Sequence, residues 1–284
     1  MRSLLVVLIL ATSAAAAEPK VLRDQAYADS KDPRQRLDVY APAEGQKHPI
    51  VVWIHGGGWR QGDKAGVQRK PHAFTERGFV IASINYRLAP DATLKEMTGD
   101  VAQAVRWIHD HAADFGGDPD AIFVMGHSAG AHLAALVCTD GRYLETAGLS
   151  LASIKGCMPV DTGVYDAAKQ IESVLPQRRA TYRGVFSESP ATQKEFSPMT
   201  YVAKDRQIPP FLILHVADRP DSKAQSEMFA AALRAAGVPA KVFAGEGKTH
   251  GTINSELGDQ NDPPTKAMWE FLDGLLQQSP AAKS

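Results

Sequence analysis

The stretch from Ala121 to Cys138, AIFVMGHSAGAHLAALVC, decides the fold. Ala121 to Met125 is a short apolar run of the kind a buried strand shows, and Gly126-His-Ser-Ala-Gly130 is a G-x-S-x-G turn into a helix. The flanking glycines remove side chains that would clash in so sharp a reversal. Ser128 sits at the tip, where such an elbow holds a hydroxyl exposed above a sheet. The amide of Ala129, at the start of the helix, then points at any oxygen on the carbon that Ser128 attacks.

Working outward, the run Pro49 to Ile54 is continuously apolar and predicts a strand buried on both faces. It ends in His55-Gly-Gly-Gly-Trp59, where successive glycines leave backbone amides uncovered for close approach. Gly57 and Gly58, with Ala129, are the candidate oxyanion donors. His55 reads as a brace for that loop. Further strands are expected at Val21–Asp29 and Gln35–Tyr40, taken as edge strands, and at Val80–Asn85, Ile154–Val160, Phe211–His215 and Ala240–Phe243. Between them, Val101, Ala104, Val105 and Ile108 recur at helical spacing, as do Phe229 with Leu233, and Met268, Phe271, Leu272 with Leu275. Strands alternating with helices mean an α/β fold with a mostly parallel, twisted sheet and helices on both faces.

The segment from about 161 to 208 is richer in polar residues, carries Pro176, Pro190 and Pro198, and shows no strand of its own. It reads as a small cap-like insertion over the site.

Catalytic groups in a parallel sheet gather at the carboxyl ends of its strands. Ser128 is the candidate nucleophile, and a neutral imidazole must take its proton as it attacks. His250, in the glycine-bearing loop from Gly245 to Gly251, is the candidate base. Asp218, just past the strand that ends near His215, is the candidate acid to fix the imidazole tautomer, with Asp221 as the alternative. This chemistry calls for no metal and no organic cofactor. His109 and His111, two positions apart, do not share a helix face and are not read as metal ligands.

The first seventeen residues differ in kind. Arg2, the apolar run Leu4–Ala11 and the small residues Ala14–Ala17 read as a signal peptide, leaving residues 18–284 as one hydrolase domain exported to the periplasm or medium. The apolar run stops short of the ~20 residues a membrane span needs. The net charge of −1 and the absence of a basic run argue against nucleic acid. Cys138 and Cys157 lie in apolar segments, where they are either buried thiols or, in an oxidising compartment, a disulfide.

The HGGGW, GDK (Gly62 to Lys64), NYRLAP (Asn85 to Pro90) and GHSAGAHLA segments resemble those of secreted carboxylesterases of the α/β-hydrolase fold, near the hormone-sensitive-lipase-like and feruloyl-esterase-like groups. That resemblance implies ester hydrolysis on a Ser128, Asp218, His250 triad, small-molecule ester substrates and no stable membrane insertion. The HGG-x-W pattern also resembles arylformamidases, which cleave an N-formyl amide with the same machinery. A noncatalytic module that keeps the fold is disfavoured, because every part of the machinery has a candidate residue.

Overall fold

In the computed structural model, which describes residues 18–278, the chain forms one eight-stranded sheet flanked by helices. The strands are β1 (Lys20–Ala26), β2 (Arg36–Ala41), β3 (His48–Ile54), β4 (Val80–Ile84), β5 (Gly117–His127), β6 (Ile154–Val160), β7 (Phe211–Val216) and β8 (Ala240–Gly245). They lie in the order β1-β2-β4-β3-β5-β6-β7-β8. From β4 onward all neighbours are parallel, while β1 and β2 run antiparallel to their partners. All eight stretches expected to be strands are strands. One expectation needs correcting: β2 is not an edge strand, because its free side pairs with β4 and only β1 closes that side of the sheet.

The helices are α1 (Lys70–Glu76), α2 (Leu94–Asp110), α3 (Ala129–Val137), α4 (Arg142–Thr146), α5 (Ala167–Ser173), α6 (Pro176–Phe186), α7 (Pro190–Glu195), α8 (Pro220–Ala235), α9 (Thr252–Ser255) and α10 (Pro263–Gln277). Local chemistry sets several of their starts. Thr93 and Glu96 form a reciprocal cap on α2, satisfying two amides that the first turn leaves orphaned. Asp262 caps α10, whose first residue is Pro263.

Strand β3 shows why the central run lacks alternation. Ile50, Val52 and Ile54 enter the core that contains Val101 and Val105 of α2 and Leu133 of α3. Val51 and Trp53, pointing the other way, pack with Phe74 of α1 and Met268 and Trp269 of α10. Side chains alternate faces along a strand, so a strand covered by helices on both sides must be apolar at every position. Helix α3 is buried along its whole length directly behind the elbow.

The segment 161–208 holds α5, α6, α7 and a short 3-10 turn, Pro198–Tyr201. Tyr165 and Phe186 are buried, and Met199 and Tyr201 pack against the same core. Cys138 and Cys157 are both buried free thiols, and burial together with the neighbouring Cys138 thiol pushes the Cys157 pKa up. The proposed signal peptide, residues 1–17, lies outside the described residues.

Candidate active site

The elbow is built by close packing of backbone. A Cβ on Gly126 would lie 2.4 Å from the Gly130 carbonyl oxygen, and one on Gly130 would lie 2.2 Å from that of Ile54, at the end of β3. Neither backbone oxygen can move aside, so both positions demand glycine. Between them Ser128 takes φ 57 and ψ −116, a costly conformation for a residue with a side chain. Its amide donates to the carbonyl of Val160 at 2.9 Å, which ties the elbow to the end of β6.

Ser128 Oγ lies 3.0 Å from His250 Nε2. On the other side of the ring, His250 Nδ1 lies 2.6 Å from Asp161 Oδ2. A carboxylate can only accept, so Nδ1 carries the proton and Nε2 is free to take one from the serine. Asp161 follows β6 directly and is fully buried. Its Oδ1 accepts from the Val216 amide at 3.0 Å and from Ser222 Oγ at 2.8 Å, and Oδ2 also accepts from the Arg219 guanidinium. Burial by itself would raise the pKa of Asp161. The bonds from His250, Val216 and Ser222 and the charge of Arg219 outweigh it and hold the carboxyl well below the usual carboxylate range.

The structure therefore corrects the expected acid. Asp218 is exposed on the loop after β7, and the residue beside it, Arg219, turns inward instead, where its Nη1 and His250 Nδ1, 2.8 Å apart, both donate to Asp161 Oδ2. The alternative, Asp221, is bound by Arg219 at 3.2 Å and by Gln170 Nε2 at 3.1 Å, not by His250. Since β6 lies between β5 and β7, a carboxylate at the end of β6 is next to the strand that carries Ser128. Asp161 is the candidate acid that sequence reading missed. The available signal was an Asp directly after a core strand, at the start of what reads as the cap.

Of the expected oxyanion donors, Gly57 has φ +124 and a Cβ there would lie 2.0 Å from the Gln61 carbonyl oxygen. Gly58 has φ +61 and open space where a Cβ would be. Among the described residues no acceptor faces the amides of Gly57, Gly58 or Ala129. Gly58 and Ala129 line a cavity of about 130 Å³ together with Ser128 and His250. His55 braces this loop: it stacks on Tyr86 with ring centroids 4.5 Å apart, while its carbonyl accepts from Tyr86 Oη at 3.1 Å.

Three other groups set the position of the relay and of the glycine loop beside it. His127, the residue before the serine, donates through Nε2 to the carbonyl of His250 at 2.8 Å, so the elbow itself carries the base. Lys70 is buried and, among the described residues, has no acidic partner; its ammonium lies over Trp53 at 4.3 Å and donates to the backbone and side-chain oxygens of Asn254, both at 2.8 Å, in the turn after His250. His132 of α3 accepts from Trp59 Nε1 at 3.3 Å and donates to the carbonyl of Phe196 at 2.8 Å. Trp59 also meets Phe186 and Tyr182 of α6 edge-on, at 5.1 and 6.1 Å. Its ring both lines the cavity and locks the glycine loop to the segment above it.

Burial, together with the neighbouring charge of His250 in the first case, pushes His127 down to about 3, and burial pushes His132 down to about 4, from an ordinary 6.5. Both are neutral when folded. As pH falls below about 6.5, the unfolded chain takes up protons at these positions and the folded chain does not. Folding stability is therefore expected to fall between pH 6.5 and 4, by up to about 1.4 kcal/mol per pH unit for each histidine. Denaturant unfolding at pH 7, 6 and 5 checks this, with His132→Gln giving the shallower dependence; an unchanged slope in that variant counts against it.

Fold and site together define the α/β-hydrolase fold carrying a relay of Ser128, His250 and Asp161. The chain belongs to the BD-FAE family, whose profile matches residues 37–233. It is 33% identical over 247 residues to a probable isoprenylcysteine alpha-carbonyl methylesterase of Oryza sativa subsp. japonica, covering 81% of this chain and 58% of that one. To Esterase LipQ of Mycobacterium tuberculosis it is 31% identical, covering 81% of this chain and 56% of that one. The chain thus spans little more than half the length of these relatives. A kynurenine formamidase of Danio rerio is a weaker match, 26% identical, but covers 92% of this chain and 85% of its own. Among solved structures, a truncated carbohydrate esterase from gut microbiota superposes with a TM-score of 0.76 at 22% identity, over 93% of this chain and 99% of that one, a likeness of fold.

Proposed function

We propose that the protein hydrolyses carboxylic esters with short acyl groups, through an acyl-enzyme on Ser128. The observation that carries this reading is the continuous relay from Ser128 to His250 to Asp161, at 3.0 and 2.6 Å, beside a cavity of only about 130 Å³. Drug-sized pockets run to roughly 300 Å³ and above, so a space of this size favours a small acyl group in it.

In the first half-reaction Ser128 Oγ attacks the ester carbonyl while His250 Nε2 accepts its proton. The imidazolium is stabilised by the ionised Asp161, and the oxyanion accepts hydrogen bonds from the amides of Ala129 and of Gly57 or Gly58. His250 then protonates the leaving alcohol. In the second, a water gives its proton to His250 and attacks the acyl-enzyme, releasing the acid and Ser128. The segment 161–208 serves as the cap that shapes the pocket, and removal of residues 1–17 during export delivers the enzyme outside the cytoplasm.

The test is initial-rate hydrolysis of p-nitrophenyl acetate, butyrate and octanoate beside methyl ferulate and N-formylkynurenine. Acetate and butyrate are expected to be turned over well and octanoate poorly, with a fluorophosphonate adduct on Ser128 blocking all turnover. The match to a formamidase along nearly the whole of both chains favours N-formyl amide hydrolysis as the second reading. Cleavage of N-formylkynurenine alone would establish it and sink the esterase reading.

A further inference from the structure

The mouth of the site is lined by guanidinium groups that no carboxylate among the described residues neutralises. Above the small cavity an open basin of about 640 Å³ is lined by Ser128, His250, Gly57 and Gly58, and also by Arg60 and Arg178. Arg178 borders both the basin and the inner cavity, one turn of α6 before Tyr182. Its side chain is exposed and, among the described residues, makes no ion pair or side-chain hydrogen bond. Arg60, directly after the HGGGW loop, is exposed and held only through the carbonyl of Gly184 at 3.2 Å. Helix α6, PQRRATYRGVF, contains three arginines and no acid.

The carboxylates that share these cavities are already engaged. Asp161 is bound by His250 and Arg219, and Asp63 accepts from the Ala65 amide at 2.9 Å and from Asn85 Nδ2 at 3.0 Å, with Arg34 at 3.6 Å. The chain as a whole has a net charge of −1, so two unpaired cations facing one basin are a local feature and not an echo of composition. Cations lining a cleft focus the field and attract an anion, and a guanidinium matches a carboxylate with two parallel hydrogen bonds.

We propose that the esters this site takes carry a carboxylate, seated on Arg178 with Arg60 beside it, while the ester carbonyl reaches Ser128. The inference rests on the esterase reading and narrows its substrate class. The carboxylate can belong to the acyl part or to the alcohol, and the chemistry at Arg178 is the same.

Two pairs of esters separate these sources. 4-Nitrophenyl hydrogen glutarate against 4-nitrophenyl pentanoate places the charge on the acyl side; 4-acetoxybenzoate against 4-acetoxybenzamide places it on the alcohol side. The readout is the ratio of kcat/KM, anionic over neutral, within one enzyme preparation, so that any inactive fraction cancels. At about 0.01 M salt, where the Debye length is about 30 Å, at least one pair should favour the anion about tenfold, and that preference should shrink several-fold at about 1 M. Arg178→Gln should bring the ratio down about tenfold, Arg60→Gln by less, and Arg178→Lys should restore only part of it, keeping the charge but losing the two parallel hydrogen bonds. Turnover of the neutral esters with no preference for the anion, or a ratio unchanged in Arg178→Gln, overturns the inference and leaves ester hydrolysis standing. No turnover of any ester overturns both.

Discussion

Asp161→Asn lowers kcat for short-chain ester hydrolysis by about 10⁴-fold, the scale set by replacing the buried carboxylate of a serine triad, while Asp218→Asn leaves it within about twofold. The cause of the loss is the tautomer. An asparagine can turn its amide N–H toward Nδ1, which drives the ring proton to Nε2, and Nε2 can then no longer accept from Ser128, 3.0 Å away. The buried negative charge that steadies the imidazolium is lost as well. Asp161→Asn also takes one partner from Arg219, which keeps Asp221 at 3.2 Å, so the substitution need not unfold the chain. Steady-state kinetics of both variants on p-nitrophenyl butyrate, with thermal melts to show that each is folded, checks this. Full activity in Asp161→Asn beside a collapse in Asp218→Asn would reverse the assignment.

Ser128→Ala is expected to cost more, about 10⁶-fold in kcat, because no covalent intermediate can form and the oxyanion donors alone supply the residual rate. The change removes a single oxygen at the surface of the cavity and keeps the backbone strain of the elbow, so stability should shift by less than about 1 kcal/mol. The comparison with Asp161→Asn is informative. If the residues act as one relay, the double variant is no slower than Ser128→Ala, since removing the nucleophile leaves His250 and Asp161 nothing to assist. A fluorophosphonate that still labels the Ser128→Ala chain, or ester turnover that survives it, would place the chemistry elsewhere.

The elbow and the glycine loop were legible because each rests on local sterics. Gly126 and Gly130 are required by backbone oxygens at 2.4 and 2.2 Å, and such a requirement leaves a fixed spacing in the sequence. The central strands were legible for a related reason: burial on both faces leaves an unbroken apolar run. The helices of the cap were not. In α6 only Phe186 is buried, so no apolar stripe marks it, and α5 and α7 are only a turn or two long. Helix α1 was missed for the same reason, since its buried residues are Phe74 and a lysine.

By itself, then, the sequence determined the α/β class, the eight strands and the places of Ser128, His250 and the glycine loop, which the structure brings together, because those depend on periodicity and on backbone shape near each residue. Only the tertiary structure decided which carboxylate meets His250. Asp161 and Asp218 both follow core strands, and nothing within a few residues of either separates them. What separates them is the direction of the side chain: Asp161, at φ 50, turns into the gap between β6 and β7, where Val216, Ser222 and Arg219 hold it against the ring, while Asp218 faces solvent. That choice depends on contacts among residues more than fifty positions apart, and chain order carries no record of them.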